Sequence, residues 1–153
     1  MAIVGYSVLD FDGENFTLLH SGSIKTDKNL SDSKRLLEIS QDLDTIVNKY
    51  KPEIASVEKL YFFKNQKTII PVAEARGVIM MILEKNKIPA FEYTPIEVKQ
   101  TLTGYGRADK KEVEQMVKLT LQRNDLPCLD DTIDSMAIAI CHVRNNPKIL
   151  SNV

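Results

Sequence analysis

Three acidic residues stand at the start of one of the most apolar stretches of the chain. This stretch reads CLDDTIDSMAIAIC from residue 128 to 141, and its acids are Asp130, Asp131 and Asp134. At 100° per residue, Asp131 and Asp134 project about 60° apart on one face of a helix. They could be caps, because the free N–H groups of a helix start attract negative charge. The other residues of this helix are apolar on nearly every face, which predicts a buried helix. Carboxylates on its inward half would then need a cation such as a metal ion.

A second source of carboxylate oxygen is Glu58, which directly follows the apolar segment IASV at residues 54–57. A glutamate at a strand end can simply be solvated, but functional groups of α/β sheets also gather beyond the carboxyl ends of strands. Together with Asp131 and Asp134, Glu58 would form an all-oxygen donor set of the kind that Mg²⁺ prefers. The chain has no Cys/His spacing of the kind that zinc sites use. Two magnesium ions about 4 Å apart can cleave a phosphodiester by activating water and stabilising the leaving oxygen. The acids therefore predict metal-dependent phosphodiester chemistry.

Two basic segments could hold a nucleic-acid backbone beside these acids. In KLYFFKNQKT, residues 59–68, lysines alternate with aromatic rings that either stack on bases or fill the core. In KQTLTGYGRADKKEV, residues 99–113, glycines would let backbone N–H groups approach a phosphate, although a solvated loop explains the same pattern. The candidate residues for contacts with a nucleic acid are Tyr61, Lys64, Lys67, Lys99, Arg107, Lys110 and Lys111.

The composition limits the class of protein. The 153 residues are 43% hydrophobic and 27% charged with a net charge of −1, so any nucleic-acid binding must use local basic patches. No apolar run approaches the roughly 18 residues of a membrane span. Cys128 and Cys141 form no metal-ligand spacing, which indicates packing roles in a reducing cytoplasm. His142 is expected at the surface or in a groove.

Periodicity places the candidate residues on an α/β layered domain. Strands are predicted at 2–9, 16–25, 54–58 and 89–93, and helices at 33–50, 68–86, 95–102, 109–123 and 131–145. A hairpin followed by alternating helices and strands is typical of a mixed sheet flanked by helices. No internal linker is visible, so one domain is expected over residues 1–153.

The order of these segments closely resembles that of the RuvC-type Holliday junction resolvases. The matching segments, from residue 2 to about residue 145, are GYSVLD, VEKLYFFKN, EARG, FEYTPIEVKQTLTGYGRADKKEV and DDTIDSMAIAIC. The resemblance implies an RNase H-like fold with a five-stranded mixed sheet, and a homodimer that cuts two opposed strands of a four-way DNA junction. It also implies two Mg²⁺ ions per subunit, with Mn²⁺ as an alternative, a branch-migration motor as partner, and a cytoplasmic location.

The resemblance assigns roles to individual residues. It implies that Glu58, Asp131 and Asp134 are catalytic metal ligands and that Tyr61 inserts at the junction. Lys99, Lys110 and Arg107 match basic positions that face DNA, and the segment from Glu74 to Leu83 matches a helix of the dimer interface.

One departure from the family pattern keeps alternatives open. The family opens with a strand that ends in an aspartate followed by Pro-Gly, and this aspartate is its first metal ligand. The present sequence starts at Met1, just after that point, so the first strand and its aspartate are absent from it. The alternatives are a truncated, non-catalytic junction-binding protein and another RNase H-like nuclease that acts on RNA–DNA hybrids or transposon ends.

Overall fold

The computed structural model describes residues 3–59, 66–126 and 130–146. Its elements follow the predicted order and differ from the predicted bounds by no more than two residues at either end. They are β1 (Ile3–Phe11), β2 (Phe16–Lys25), α1 (Asp32–Tyr50), β3 (Ala55–Glu58), α2 (Gln66–Lys85), β4 (Ala90–Tyr93), α3 (Pro95–Thr103), α4 (Lys110–Leu121) and α5 (Asp130–Arg144). Among the helices within these ranges, none has the length and apolar character needed to span a bilayer.

Strands β1 and β2 form a hairpin whose turn is set by Asp12. One carboxylate oxygen of Asp12 accepts hydrogen bonds from the backbone N–H groups of Glu14 at 2.8 Å and Asn15 at 2.7 Å. The rings of Phe11 and Phe16 close the end of the hairpin with centroids 4.6 Å apart. The segment DFDGEN at residues 10–15 therefore connects the two strands of the predicted hairpin.

Strands β3 and β4 form a separate parallel pair. The N–H of Ala55 donates to the carbonyl of Pro89, and the N–H of Lys59 donates to that of Tyr93, both at 2.9 Å. In the described ranges the strands make two two-stranded sheets, because no hydrogen-bonded ladder joins β1–β2 to β3–β4. The expected five-stranded mixed sheet is thus confirmed only in part.

Contacts divide the chain into two compact units, and whether it folds as one domain stays a prediction. The first unit, residues 3–4, 23–55 and 66–90, contains α1 and α2. The apolar stripe of α1 is buried there as predicted, and Lys85 and Asn86 donate to Asp44 at 3.3 and 3.1 Å. The core positions of this unit are Ile24, Ile39, Leu43, Val47, Ala75, Ile82, Leu83 and Ile88.

The second unit, residues 5–22, 56–59, 91–126 and 130–146, contains α3, α4 and α5. Helix α5 is buried nearly all round beyond its first turn, as predicted. Capping boxes fix the starts of the other two helices: Thr94 with Glu97 in α3, and Asp109 with Glu112 in α4. Both acids of the second basic segment therefore cap a helix. The core positions are Val98, Leu102, Val113, Val117, Leu121, Leu126, Ile133, Met136, Ala137, Ile138, Ile140 and Cys141.

The expected surface position of His142 is wrong. Its side chain is buried, a hydrogen bond of 2.6 Å joins its Nδ1 to the Tyr93 hydroxyl, and the ring of Phe91 lies 4.6 Å away. Burial in this aromatic surrounding lowers the pKa of His142, which favours the neutral ring. The position is buried because α5 is covered along its length in the core.

Candidate active site

The candidate carboxylates are brought together by a strand end and a helix start. Glu58 is the last residue of β3, and the hydrogen bond from the following N–H to Tyr93 extends the pairing of β3 with β4 past this residue. Asp131 lies in the first turn of α5, and Asp134 follows one turn later on the same face.

The start of α5 lies against β1 at Gly5. A Cβ atom built on Gly5 would lie 2.3 Å from the carbonyl oxygen of Asp131 and 2.6 Å from its Cβ. Only glycine permits so close an approach of the two backbones. The sequence pattern drew no attention to this residue, since a lone glycine in a strand signals a close contact without naming its partner.

Electrostatic effects relate the three carboxylates to one another. The pKa of Glu58 is raised, and partial burial is the largest cause. The negative charges of Asp134 and Asp131 raise this pKa further. Partial burial also raises the pKa of Asp134, and Asp131 adds to that rise. Asp131 therefore disfavours ionisation of both Glu58 and Asp134, and Asp134 disfavours ionisation of Glu58, as expected for nearby acids.

The acids are more accessible than the sequence suggested. Glu58, Asp131 and Asp134 are accessible to solvent, although neighbouring groups partly shield the carboxylates of Glu58 and Asp134; Asp131 and Asp134 were expected on an inward helix face. The reason is that their face of α5 opens beside the end of β3, while core packing covers the rest of the helix. An accessible cluster can receive a substrate or an ion from solvent without moving the helix.

Lys110 is the main cation of this cluster. Its Nζ donates to a carboxylate oxygen of Asp130 at 3.3 Å, and this hydrogen bond is the first cause of its raised pKa. The charge of Lys110 also lowers the pKa of both Glu58 and Asp134. Sequence reasoning assigned Lys110 to DNA and missed its pairing with Asp130, because no local pattern links residues 20 positions apart.

The donor set suits a hard divalent cation. Among the side chains of the described ranges, no group of three His, Cys, Asp or Glu residues converges closely enough to form a ready-made metal cage. The carboxylates of Glu58, Asp131 and Asp134 nevertheless repel one another, and a cation between them would relieve that repulsion. Oxygen ligands completed by water are the usual environment of Mg²⁺.

The structure describes the side chains of some of the remaining candidate residues and not of others. Lys99 is half-buried in α3 and acts electrostatically on Asp134. Arg107 is exposed in the connection between α3 and α4, and Lys111 is exposed in α4. Tyr61 and Lys64 lie outside the described residues, and Lys67 belongs to α2 although its side chain lies outside the description.

Comparison with known proteins gives a consistent result. A family model described as "Crossover junction endodeoxyribonuclease RuvC" matches residues 1–142. The protein of that name from Petrotoga mobilis is 48% identical over 139 residues, which are 91% of this chain and 85% of that protein. The one from Fusobacterium nucleatum is 43% identical over 150 residues, which are 98% of this chain and 79% of that protein.

Solved structures agree with the sequence comparisons. The chain is similar to the Thermus thermophilus RuvC structure, with a TM-score of 0.81, 25% identity and coverage of 94% of both chains. It is also similar to T. thermophilus RuvC in complex with Holliday junction substrate, with a TM-score of 0.86, 26% identity and coverage of 95% of this chain and 94% of that one.

Proposed function

This chain belongs to the RuvC family of crossover junction endodeoxyribonucleases, and we propose that it resolves four-way (Holliday) DNA junctions by metal-dependent hydrolysis of phosphodiester bonds. The membership confirms the resemblance seen in the sequence and the RNase H-like fold that it implies. The observation that carries the proposal is the electrostatic interaction of the accessible carboxylates of Glu58, Asp131 and Asp134 with one another and with Lys110. Recombination and DNA repair in the cytoplasm are the corresponding cellular setting.

The proposed cofactor is Mg²⁺, with two ions per subunit and Mn²⁺ as an alternative. Bound ions of this kind supply an activated water and a stabilised leaving oxygen. Glu58, Asp131 and Asp134 would hold them through ionised carboxylate oxygens. Lys110 favours those ionised forms, because its charge lowers the pKa of both Glu58 and Asp134.

The proposed DNA contacts are electrostatic and local. Lys99 and Lys110 flank the carboxylates, so a phosphate that they bind would lie beside the site of hydrolysis. Arg107 and Lys111 extend the basic surface along the connection and α4. Lys64 and Lys67 would extend it further, and Tyr61 would stack at the branch point.

The proposed assembly is a homodimer, because resolution needs one cut in each of two opposed strands. The segment from Glu74 to Leu83 in α2 is the proposed interface. This helix exposes several large apolar side chains, which favours burial against a partner. Met81 of this segment is 57% exposed, and Ile70 and Val72, which precede the segment in the same helix, are 66% and 47% exposed. A branch-migration motor is the proposed further partner.

The test is an amide series on a synthetic four-way junction. Each of Glu58→Gln, Asp131→Asn and Asp134→Asn should lower the metal-dependent cleavage rate by orders of magnitude while junction affinity, which depends on the lysines, is retained. The matched control is Glu114→Gln, since Glu114 pairs with Lys118 at 2.8 Å on the surface of α4.

Two results would contradict the proposal. Full activity of Asp131→Asn would return this acid to the role of a helix cap. Absence of nicking by the wild-type chain, with junction binding intact, would favour a non-catalytic junction-binding protein. Competition among junction, duplex and RNA–DNA hybrid substrates then separates a junction resolvase from other RNase H-like nucleases.

A further inference from the structure

Tyr105 is a large aromatic side chain that the proposed catalytic groups do not include. Its side chain is 58% exposed in the connection between α3 and α4, within the segment TGYGRAD at residues 103–109. A single exposed ring is ordinary on a protein surface. What distinguishes this one is the rigidity of its backbone and its position between two lysines of the active site.

The backbone around Tyr105 is held by a compact set of hydrogen bonds. The Thr103 hydroxyl donates to the carbonyl of Lys99 at 2.7 Å and accepts from the N–H of Tyr105 at 3.1 Å. The carbonyl of Tyr105 accepts from the N–H of Ala108 at 3.1 Å, and Ala108 is buried in the unit.

The end of α3 is equally well defined. Gly104 adopts a φ of 81°, a conformation that favours glycine, and its N–H donates to the carbonyl of Gln100 at 2.9 Å. The side-chain amide of Gln100 returns a hydrogen bond of 3.0 Å to the carbonyl of Gly104. The ring is therefore presented on an ordered backbone, which reduces the entropy cost of binding.

The connection that carries Tyr105 joins two helices whose lysines act on the carboxylate site. Lys99 lies in α3 before it and Lys110 opens α4 after it, and the charges of both lysines lower the pKa of Asp134. The hydrogen bond between the backbones of Tyr105 and Ala108 closes a tight turn two residues before Lys110, whose Nζ donates to Asp130 at the start of α5 at 3.3 Å.

We propose that Tyr105 stacks on a base or deoxyribose of the branched DNA next to the scissile phosphate and thereby positions the strand that is cut. This inference rests on the proposed function. DNA is the occupant because the connection that carries Tyr105 also carries Arg107 and joins two helices that bear Lys99 and Lys110, and these cations attract a polyanion. An aromatic ring among such cations stacks on bases without regard to sequence.

The test compares four variants in binding and cleavage of a four-way junction. Binding is measured without divalent metal, on junctions that carry 2-aminopurine at successive positions around the branch. Tyr105→Ala and Tyr105→Leu should each weaken junction affinity about thirtyfold, the middle of the range for one stacked base. Tyr105→Phe should retain wild-type affinity, since the ring is kept. Leu119→Ala is the control, because Leu119 is 69% exposed elsewhere on α4.

When the wild type or Tyr105→Phe binds, the fluorescence of 2-aminopurine should change at one position of the junction. Tyr105→Ala and Tyr105→Leu should not produce this change. Cleavage should be lost in parallel, with unchanged melting temperature. Three results would overturn the inference: affinity of Tyr105→Ala equal to that of the Leu119→Ala control, wild-type behaviour of Tyr105→Leu, or a fall in melting temperature that accounts for the lost affinity. If the wild type does not cut junctions with metal, the proposed function fails, while the binding measurements still decide the role of Tyr105.

Discussion

The contact between Gly5 and Asp131 leads to a specific prediction for Gly5→Ala. The new methyl group would meet the carbonyl oxygen of Asp131 at 2.3 Å and its carbonyl carbon at 2.4 Å. Both atoms belong to the backbone of α5, so a rotation of the Asp131 side chain cannot relieve the overlap. Strand β1 and the first turn of α5 must move apart, and the carboxylates of α5 move with that turn.

The size of the effect follows from the overlap. An ordinary Cβ contact begins at 3.4 Å, so a separation of 2.3 Å requires a displacement of about 1 Å. A misplacement of about 1 Å can lower a catalysed rate by roughly a hundredfold. Overpacking of this kind costs about 1–3 kcal/mol of unfolding free energy. For a chain of this length, that cost corresponds to a fall in melting temperature of roughly 2–12 °C.

The assay combines thermal melting with metal-dependent cleavage of a four-way junction. The control is Gly77→Ala, since a Cβ on Gly77 meets no atom of this chain within 4 Å; Gly77 lies in the proposed dimer interface, so any effect on dimer formation is measured separately as a change in sedimentation mass. That variant should melt at or slightly above the wild-type temperature, because alanine favours a helix over glycine by about 1 kcal/mol. Both variants are compared at one protein concentration after their sedimentation masses are checked. A Gly5→Ala protein that melts and cleaves like the wild type would show that β1 does not position α5.

The site yields three further predictions. Without metal, the free energy of unfolding should fall as the pH rises from the ordinary pKa of a carboxyl group to the raised pKa of Glu58 and Asp134, because the folded protein then binds more protons than the unfolded chain. If the melting temperature of Glu58→Gln depends on pH as steeply as that of the wild type, the prediction is contradicted. Asp130→Asn should increase junction affinity, because Lys110 is then free to bind a phosphate. In a double-mutant cycle, the same substitution made in the Lys110→Gln protein should give no such increase. Lys99→Gln should reduce the slope of log K against log salt by about 0.9, whereas an unchanged slope means that this lysine faces solvent.

The secondary structure could be predicted because it depends on nearby residues. The stripe of Ile39, Leu43 and Val47 fills the buried face of α1, and the cluster DFDGEN makes its turn through contacts within three residues of Asp12. Such periodicities and turn bonds act over one or two helical turns, so they are visible in the sequence. The comparisons then confirmed the family that the motif order indicated.

Sequence alone determined which residues could do the chemistry: Glu58 at a strand end, with Asp131 and Asp134 one turn apart at a helix start. Tertiary structure decided that these acids are exposed, that Asp130 pairs with Lys110, and that His142 is buried. These features depend on how closely β1 and α5 approach at Gly5, and on which face of α5 the core covers. Packing between residues distant in the chain sets both, and a local pattern carries no record of its distant partner.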